Sequence, residues 1–300
     1  MTAQTLQKPR KRRRRSEALV AYSFLAPYMF IFLTFTVFAI GYAVYLSFTK
    51  YNLLRPPEWW GLEGWKRVLQ DDLFLTKALP NTFKYVLIVV PVQTVLSLIL
   101  AFAMDQKLRF RRFFRTIYYL PSVTSSVVIS LIFIWMFSPQ GVINQLFRLN
   151  INWLNDVRTA FPTIMMVNIF TTTGTLMLIF LAGLQDIPTT LYEAAAIDGA
   201  NKIQSLLYVT IPMLRPVIFF VMTTGVIGCF QVFDQIYVMT NGGPLNSTTT
   251  VAYVIYKWAF RDTTIKMGQA AVVAIILTMI IMAVTFLQRR IIEGSGSAEK

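Results

Sequence analysis

The stretch FPTIMMVNIFTTTGTLMLIFLAGL, residues 161–184, contains no charged side chain. As an α-helix rising about 1.5 Å per residue, it is long enough to cross a hydrocarbon core of about 30 Å. Lipid offers no hydrogen-bond partner to an open backbone, so a stretch that crosses a bilayer in this way must be helical. The stretch therefore predicts a transmembrane helix and sets the fold class expected for the chain around it.

Five other stretches have the same apolar character and length. In chain order they are Leu19–Phe48, Thr82–Met104, Ile117–Phe137, Val217–Val238 and Gly268–Leu287. With residues 161–184 (Phe161–Leu184) they predict an all-α polytopic membrane protein with six transmembrane helices. The membrane domain is predicted to cover residues 19–288, between a basic tail at 1–18 and a second tail at 289–300. The first stretch exceeds the roughly 7–15 residues of a signal-peptide core, so we expect it to remain as an uncleaved span.

The composition agrees with a membrane protein and excludes several kinds of site. The chain has 300 residues, of which 55% are hydrophobic and 14% charged, whereas soluble domains carry about 25% charged residues. Its net charge of +14, together with apolar spans, indicates an anionic membrane surface rather than nucleic acid as partner. Histidine is absent and Cys229 is the single cysteine, which excludes an intrachain disulfide and the histidine-based catalytic triads. No catalytic residue, metal site or cofactor is predicted.

The distribution of Lys and Arg predicts the orientation in the membrane. The two densest clusters are Arg12–Arg15 and the loop from Lys107 to Arg115. Two predicted spans separate these clusters, so both clusters lie on the same side of the membrane. Cytoplasmic loops are enriched in Lys and Arg, and the total of six spans is even. Both termini are therefore predicted to be cytoplasmic.

The segment QDIPTTLYEAAAIDGANKIQSLLYVTIPMLR, residues 185–215, lies between the fourth and fifth spans on that side. Thr190 and Glu193 have the spacing of a capping box, which predicts a helix that begins at Leu191. Gly199 suits a position with positive φ after that helix. A second helix is expected from Asn201 to Val209, ending before Pro212. The predicted result is helix, glycine elbow, helix.

The spacing within this segment resembles a known signature. Glu193-Ala194-Ala195 is followed after three residues by Gly199, and after nine more by Val209-Thr210-Ile211-Pro212. This pattern is similar to the signature loop of binding-protein-dependent ABC importer permeases, with conservative departures at Val209 and Ile211. The resemblance implies a loop that docks to a separate ATPase. The coupling residues it implies are Glu193, Ala194, Ala195, Asp198, Gly199 and Pro212. The alternative for Glu193 is that it only caps its own helix.

Further motifs resemble the carbohydrate-importer branch of that family. They are Ala182-Gly183-Leu184-Gln185, Phe233-Asp234 and the run from Tyr237 to Pro244. The last two are similar to the first permease subunit of maltose- and glycerol-phosphate-type systems. The resemblance implies four partner proteins of three kinds: a second permease subunit, two ATP-binding subunits and an extracytoplasmic solute-binding protein, all at the plasma (inner) membrane. ATP hydrolysis would belong to the partners, since the chain has no G-x-x-x-x-G-K-[ST] segment.

A sugar requires hydrogen-bonding groups and aromatic faces within the spans. Polar groups in a membrane helix usually face the interior of the bundle, although most Ser and Thr side chains bond to the backbone instead. The candidates for the substrate pathway are Asn168, Thr172, Phe230, Gln231, Asp234 and Tyr237. Asp234 has two open interpretations, as a structural residue or as a substrate contact.

Three other functions remain open from the sequence. The first is an ABC permease for a solute other than a sugar, which would carry the same loop. The second is a secondary transporter or channel, which would work without an ATPase and would use buried ionisable groups. The third is a membrane scaffold that moves no solute. The identity and size of the solute are not encoded in any motif of this chain.

Overall fold

The computed structural model describes residues 11–106, 109–262, 264 and 266–294. Helices account for nearly all of its regular structure. In chain order they are α1 (Lys11–Ile31), α2 (Phe38–Ser47), α3 (Glu63–Val68), α4 (Leu79–Asp105), α5 (Arg111–Val123), α6 (Ser126–Met136), α7 (Val142–Phe147), α8 (Ala160–Gln185), α9 (Thr189–Ile197), α10 (Lys202–Ser205), α11 (Ile211–Met213), α12 (Arg215–Phe230), α13 (Asp234–Met239), α14 (Val251–Tyr256) and α15 (Met267–Gly294). Additional π-helical turns cover Phe32–Val37, Leu73–Ala78, Leu206–Thr210 and Lys257–Arg261.

Five helical stretches in the described part of the chain are long and apolar enough to cross a membrane. They are Val20–Ser47, Leu73–Asp105, Ala160–Gln185, Arg215–Met239 and Met267–Arg290. These stretches match five of the six predicted spans, and the predicted all-α membrane fold is confirmed. The basic Lys107 falls outside the described residues, as do most of the two predicted tails.

The third predicted span, Ile117–Phe137, differs from expectation, because it is not one continuous helix. It comprises most of α5 and all of α6, whose axes meet at 99°. Between them Thr124 has an extended backbone, with φ −80° and ψ 143°. Pro121 lacks an N–H for the helical ladder, and the Thr124 hydroxyl donates to the Leu120 carbonyl at 2.9 Å. The missing N–H of Pro121 and the side-chain hydrogen bond of Thr124 both interrupt the helical hydrogen bonding, and the chain bends there. Helices α5 and α6 make a sixth span only if they are counted together as one bent span.

The fifth span is interrupted but keeps its direction. Helix α12 ends at Phe230 and α13 begins at Asp234, with three non-helical residues between them. The two helices still form a single candidate span, Arg215–Met239. The interruption frees backbone groups inside an apolar stretch, where they need partners from the protein or from a cavity.

Two apolar clusters hold the bundle together. The larger contains Tyr85, Ile164 and Phe230 and also receives residues from α14 and α15. The smaller contains Met104, Leu184 and Leu214 and lies where α4, α8 and α12 meet the segment 185–215. Helix α4 packs lengthwise against α8, and α12 packs against α4. The larger cluster lies at one end of these packed helices and the smaller cluster at the other.

We call the end with the larger cluster the hairpin end. The end with the smaller cluster, beside the segment 185–215, is the elbow end. At the hairpin end, β1 (Thr49–Lys50) and β2 (Glu58–Trp59) form a two-stranded antiparallel ribbon in which Lys50 stands opposite Glu58. A tight turn at residues 241–244 is also there: Asn241 and Gly242 have φ of 52° and 83°. Helix α14 follows it, and its backbone is tied to α4 because the Val251 N–H donates to the Thr82 hydroxyl at 2.9 Å.

The crossing of α5 and α8 depends on Gly174. A Cβ at this position would press into the Tyr118 carbonyl oxygen and lie 2.8 Å from the Ser122 hydroxyl oxygen. We therefore expect Gly174→Ala to lower the free energy of unfolding by about 1–3 kcal/mol through overpacking. Thermal unfolding of the purified chain in detergent measures the effect.

The matched control is Gly228→Ala, since a Cβ there meets nothing within 4 Å. This variant should be neutral or slightly stabilised, because Ala favours a helix over Gly by about 1 kcal/mol. Equal melting temperatures for the two variants would contradict the close approach of α5 and α8.

Candidate functional site

The first helix of the segment 185–215, which we call the elbow loop, begins earlier than predicted. Helix α9 starts at Thr189, with Pro188 at the N-cap in an extended conformation, φ −59° and ψ 132°, and without a side-chain cap. The predicted capping box between Thr190 and Glu193 is therefore wrong, because Thr190 already lies inside the helix. Pro188 fixes the backbone conformation that a capping residue needs, so the helix can begin directly after it. Glu193 is exposed on this helix and does not cap it.

The glycine elbow forms as predicted. Gly199 has φ +79°. Its N–H donates to the Ala196 carbonyl at 3.1 Å, and the Ala200 N–H donates to the Ala195 carbonyl at 2.9 Å. These two bonds are the Schellman arrangement, which satisfies the last carbonyls of a helix and requires a left-handed residue. The elbow is thus a fixed turn of the backbone.

We call α9 the first arm of the elbow loop and the helical part that follows Gly199 the second arm. The second arm carries a capping box, whereas the first arm has none. The Asn201 side chain accepts from the Gln204 N–H at 2.9 Å, and the Gln204 side chain accepts from the Asn201 N–H at 2.8 Å. The arm then continues through α10, a π-helical turn and α11 as far as Met213. Pro212 was expected to follow the end of this helix, but it lies in the first turn of α11.

Packing and one hydrogen bond fasten the elbow loop to the bundle. The Tyr192 and Thr210 hydroxyls are 3.0 Å apart and join the two arms. Leu214 is fully buried in the smaller cluster at the elbow end. A Cβ on Gly183 would lie 2.7 Å from a Val217 methyl group, so α8 and α12 approach closely on either side of the loop. The loop is therefore a stiff extension of both spans.

The outward surface of the elbow loop is unusually apolar. Ile197, Ile203 and Tyr208 are 87%, 68% and 77% exposed. Ala194 is also exposed and offers little steric bulk. Exposed apolar side chains of this size are typical of a surface that contacts another protein or a membrane.

A cavity of about 500 Å³ lies beside the bend between α5 and α6, bordered by α4, α8, α12 and α13. Amide and hydroxyl groups interrupt an otherwise apolar wall, which contains no charged side chain. Of the predicted pathway residues, Asn168 and Thr172 line it. The Oδ1 atom of Asn168 is buried and has no hydrogen-bond partner in the described chain.

Gln93 forms the part of this wall that joins three helices. Its side chain is 2% exposed, and its Oε1 lies 2.8 Å from the Thr172 hydroxyl. That hydroxyl is also 2.9 Å from the Asn168 carbonyl, so it can donate to only one of the two acceptors at a time. A Cβ on Gly225 would lie 2.7 Å from Gln93 Nε2. A lone glutamine within an apolar span is the sequence signal that could have placed Gln93 among the pathway residues.

The other four predicted pathway residues do not line the cavity. Phe230 is 1% exposed and packs edge-on against Phe83 in the larger cluster. Gln231 is exposed at the interruption that follows α12. The Asp234 carboxylate accepts a hydrogen bond from Ser126, and Ser126 does line the cavity. This bond connects the interruption of the fifth span with the bend of the third.

Tyr237 belongs to a group of aromatic rings at the hairpin end. It stacks on Phe233 at 5.4 Å and meets Tyr256 at 5.1 Å. The hydrogen bond with Tyr237 raises the pKa of the Tyr256 phenol. Burial raises the pKa of the Tyr253 phenol, and the neighbouring Arg261 guanidinium opposes that shift. Because both shifts are upward, the two phenols stay neutral at physiological pH.

No cluster of three or more metal-ligating side chains occurs among the residues that the structure describes.

Comparison with known proteins gives three results. Residues 93–294 match the family model described as "Binding-protein-dependent transport system inner membrane component". The chain is 34% identical over 281 residues to a probable ABC transporter permease protein, YesP, of Bacillus subtilis, covering 91% of this chain and 90% of the relative. It is 38% identical over 229 residues to the lactose transport system permease protein LacF of Rhizobium radiobacter, covering 73% and 76%.

A third relative and one solved structure extend these results. The arabinooligosaccharides transport system permease protein AraP of Bacillus subtilis is 32% identical over 294 residues, covering 95% of this chain and 91% of the relative. Among solved structures, the fold is similar to a chain of a bacterial ABC transporter involved in the import of alginate, with a TM-score of 0.78. That alignment covers 94% of this chain and 97% of the other at 21% sequence identity, and it bears on the fold alone.

The capping box of the second arm is open to a direct test. We expect Asn201→Ala to weaken the cap by about 1 kcal/mol, which corresponds to about fivefold faster amide hydrogen exchange in residues 202–205. Peptide-level exchange measured by mass spectrometry reads this out. Asn150→Ala changes an exposed loop asparagine outside the elbow loop and serves as the control. Unchanged exchange in Asn201→Ala would show that the cap does not hold this arm.

Proposed function

This chain belongs to the family of inner membrane components of binding-protein-dependent transport systems, and from that premise we propose that it forms one half of a path for a sugar through the membrane. The observation that carries the proposal is the cavity of about 500 Å³. Its amide and hydroxyl groups suit a neutral polyhydroxylated solute, since such a solute exchanges hydrogen bonds with water for equivalent bonds with the protein. The relatives point the same way, since they include transport system permeases for lactose and for arabinooligosaccharides.

Two groups in the cavity are suited to meet sugar hydroxyls. Asn168 has a buried Oδ1 without a partner, and an unpaired buried acceptor costs about 1–3 kcal/mol until a donor reaches it. Thr172 can exchange its hydrogen bond between Gln93 and the Asn168 carbonyl. We propose that Asn168 and Thr172 form the inner part of the path.

The outer part of the proposed path follows α13. Gln231 is exposed at the interruption of the fifth span, and Asp234 is one turn further along. Tyr237 adds an aromatic ring that is 36% exposed. Phe230 supports this stretch from the core, where its ring is held against Phe83. Asp234 has a structural role in this proposal through its bond to Ser126.

The elbow loop is the proposed docking site for a separate ATP-binding subunit. Its exposed Ile197, Ile203 and Tyr208 supply apolar contact area. Exposed Glu193 and Asp198 supply negative charge beside them. Because the loop continues directly into α8 and α12, movement of the docked subunit would be passed to two walls of the cavity. Pro212 lies inside the second arm, where it keeps the first turn of α11 rigid.

This proposal also sets the orientation and the partners. With the ATP-binding subunits in the cytoplasm, the elbow end and both termini are cytoplasmic, in agreement with the Lys and Arg clusters. A second permease subunit would complete the path, a second ATP-binding subunit would dock beneath it, and a solute-binding protein would deliver the sugar at the hairpin end. ATP hydrolysis would take place on the ATP-binding subunits.

A secondary transporter fits the cavity less well. Coupling to protons or sodium ions uses ionisable groups within the path. The residues that line the cavity include no Asp, Glu, Lys or Arg. The elbow loop would also have no function in such a protein.

The coupling role predicts the effect of Gly199→Val. Nothing lies within 4 Å of a Cβ at this glycine, so the change acts through backbone strain at φ +79° alone and disturbs the elbow. In cells that contain the complete transport system, we expect sugar uptake to fall at least tenfold while the protein remains in the membrane. Glu193→Lys should act in the same direction by reversing the charge beside the docking surface.

Gly61→Val is the matched control for this strain. Gly61 also has a positive φ, of 58°, and open space around its Cβ, but it lies at the hairpin end. Equal uptake by Gly199→Val and Gly61→Val would exclude the elbow loop as the coupling element.

The solute path predicts the effect of Asn168→Ala and Gln231→Ala. Each removes a hydrogen-bonding group worth about 1–1.5 kcal/mol, so the apparent affinity for the transported sugar should fall about five- to tenfold. Transport kinetics with a panel of neutral mono-, di- and oligosaccharides and a uronic acid test both the residues and the class of solute. Gln70→Ala changes an exposed glutamine far from the cavity and should leave the kinetics unchanged. A preference for the uronic acid would refute the neutral-sugar assignment.

A further inference from the structure

A second pocket, of about 260 Å³, lies at the hairpin end between the β1–β2 ribbon and the first turn of α15. Four basic side chains line it: Lys50, Arg55, Arg67 and Lys266. Glu58 is the single carboxylate in its wall. The pocket therefore has three positive charges that its own lining does not balance.

An ion pair with a residue outside the lining offsets only part of this charge. Arg67 pairs with Glu63 at 3.3 Å. Both side chains of that pair are largely exposed, at 59% and 43%, and such pairs contribute little. Lys50 stands opposite Glu58 in the strand register but forms no bridge with it. Like charges gathered around one cavity repel each other, and an anion in the pocket would relieve that repulsion.

The floor of the pocket is rigid. Thr49 is 2% exposed, and its hydroxyl donates to the Leu46 carbonyl at 2.9 Å. Gly268 packs so closely on this strand that a Cβ would press into the Thr49 carbonyl oxygen. The pocket thus has a fixed base formed by backbone of β1 and α15, with the basic side chains around its rim.

Two of the basic groups are also held from the side by aromatic rings. The Arg67 guanidinium lies 4.7 Å from the centre of the Trp60 ring. The Lys266 ammonium lies 5.8 Å from the centre of the Trp258 ring. Lys266 further precedes the first turn of α15, where the positive end of a long helix dipole adds to its charge.

The position of the pocket relative to the spans indicates its ligand. The span Val20–Ser47 ends just before β1, and the span Met267–Arg290 begins just after Lys266. The pocket therefore sits where both apolar helices leave the hydrocarbon layer, at the depth of lipid headgroups. These two spans are also the least buried of the five, at 6% and 22%. Lipid molecules can thus lie along both helices with their headgroups at the pocket, and the exposed Trp59 nearby is typical of that interface.

We propose that this pocket binds the phosphate group of an anionic phospholipid. Lys and Arg are the residues that bind phosphate oxygens, through charge-assisted hydrogen bonds. The acyl chains would lie against α2 and α15, and the headgroup would bridge the ribbon and the first turn of α15. The site does not depend on which solute the protein carries or on its orientation in the membrane.

The test is a lipid titration of the full-length chain in detergent, read by native mass spectrometry with phosphatidylglycerol and phosphatidylcholine as probes. We expect phosphatidylglycerol to bind more tightly than phosphatidylcholine. The double variant Lys50→Gln/Arg55→Gln should lose about 30-fold in affinity for phosphatidylglycerol, from the usual contribution of two basic groups near a lipid surface. Glu58→Gln should instead bind phosphatidylglycerol about fivefold more tightly, since it removes the one negative charge of the wall.

The control double variant is Lys77→Gln/Arg158→Gln, which removes two exposed basic residues at the same end but outside the pocket. Melting temperatures confirm that the variants are folded, and the opposite effect expected for Glu58→Gln does not depend on the double variant. The proposal is overturned if phosphatidylglycerol and phosphatidylcholine bind equally, or if the control loses as much affinity as the pocket variant. It is also overturned if inorganic phosphate competes as well as the lipid does, because the site would then recognise a free anion.

Discussion

The side-chain amide of Gln93 is the contact on which the arrangement of α4, α8 and α12 depends. It is 2% exposed, within hydrogen-bonding distance of Thr172, and it fits beside α12 only because Gly225 has no Cβ. A buried amide without a partner costs several kcal/mol in an apolar surrounding, so sliding either neighbouring helix along α4 would be expensive. The amide therefore fixes the register of three spans between the two apolar clusters. The same group forms part of the cavity wall, so the packing of the bundle and the polarity of the path have one origin.

The two irregular spans follow from the need to satisfy backbone groups within a bilayer. A break in a membrane helix is tolerated where the freed groups are buried in protein or border a cavity. The bend between α5 and α6 borders the cavity, and the interruption before α13 lies next to it. The bond between Ser126 and Asp234 joins the two breaks. The proposed path thus runs where the helices are least regular, and the regular helices α4 and α8 hold it in place.

Features set by local sequence were predictable, and features set by distant contacts were not. Apolar length alone located five spans, and the left-handed conformation of Gly199 followed from its place after a helix. The start of α9 was misplaced because the competition between Pro188 and Thr190 for the capping position is decided by backbone geometry. The 99° bend depends on Pro121 and on the packing of α5 and α6 against different neighbours. Sequence also grouped Asn168 with Gln231, whereas only the fold shows that Asn168 reaches the cavity and Gln231 lies at the interruption beyond it.

The sparse packing of the first span determines how it tolerates mutation. Only 6% of Val20–Ser47 is buried within the chain, against 50% of Ala160–Gln185. Exchanging one apolar residue for another in the first span leaves no void in the core, whereas the same exchange in α8 would. Hydrophobicity and length are then the properties that the first span must retain, while α8 must retain particular side chains. Sequence drift among relatives should therefore accumulate in the first span, apart from positions that a second subunit covers.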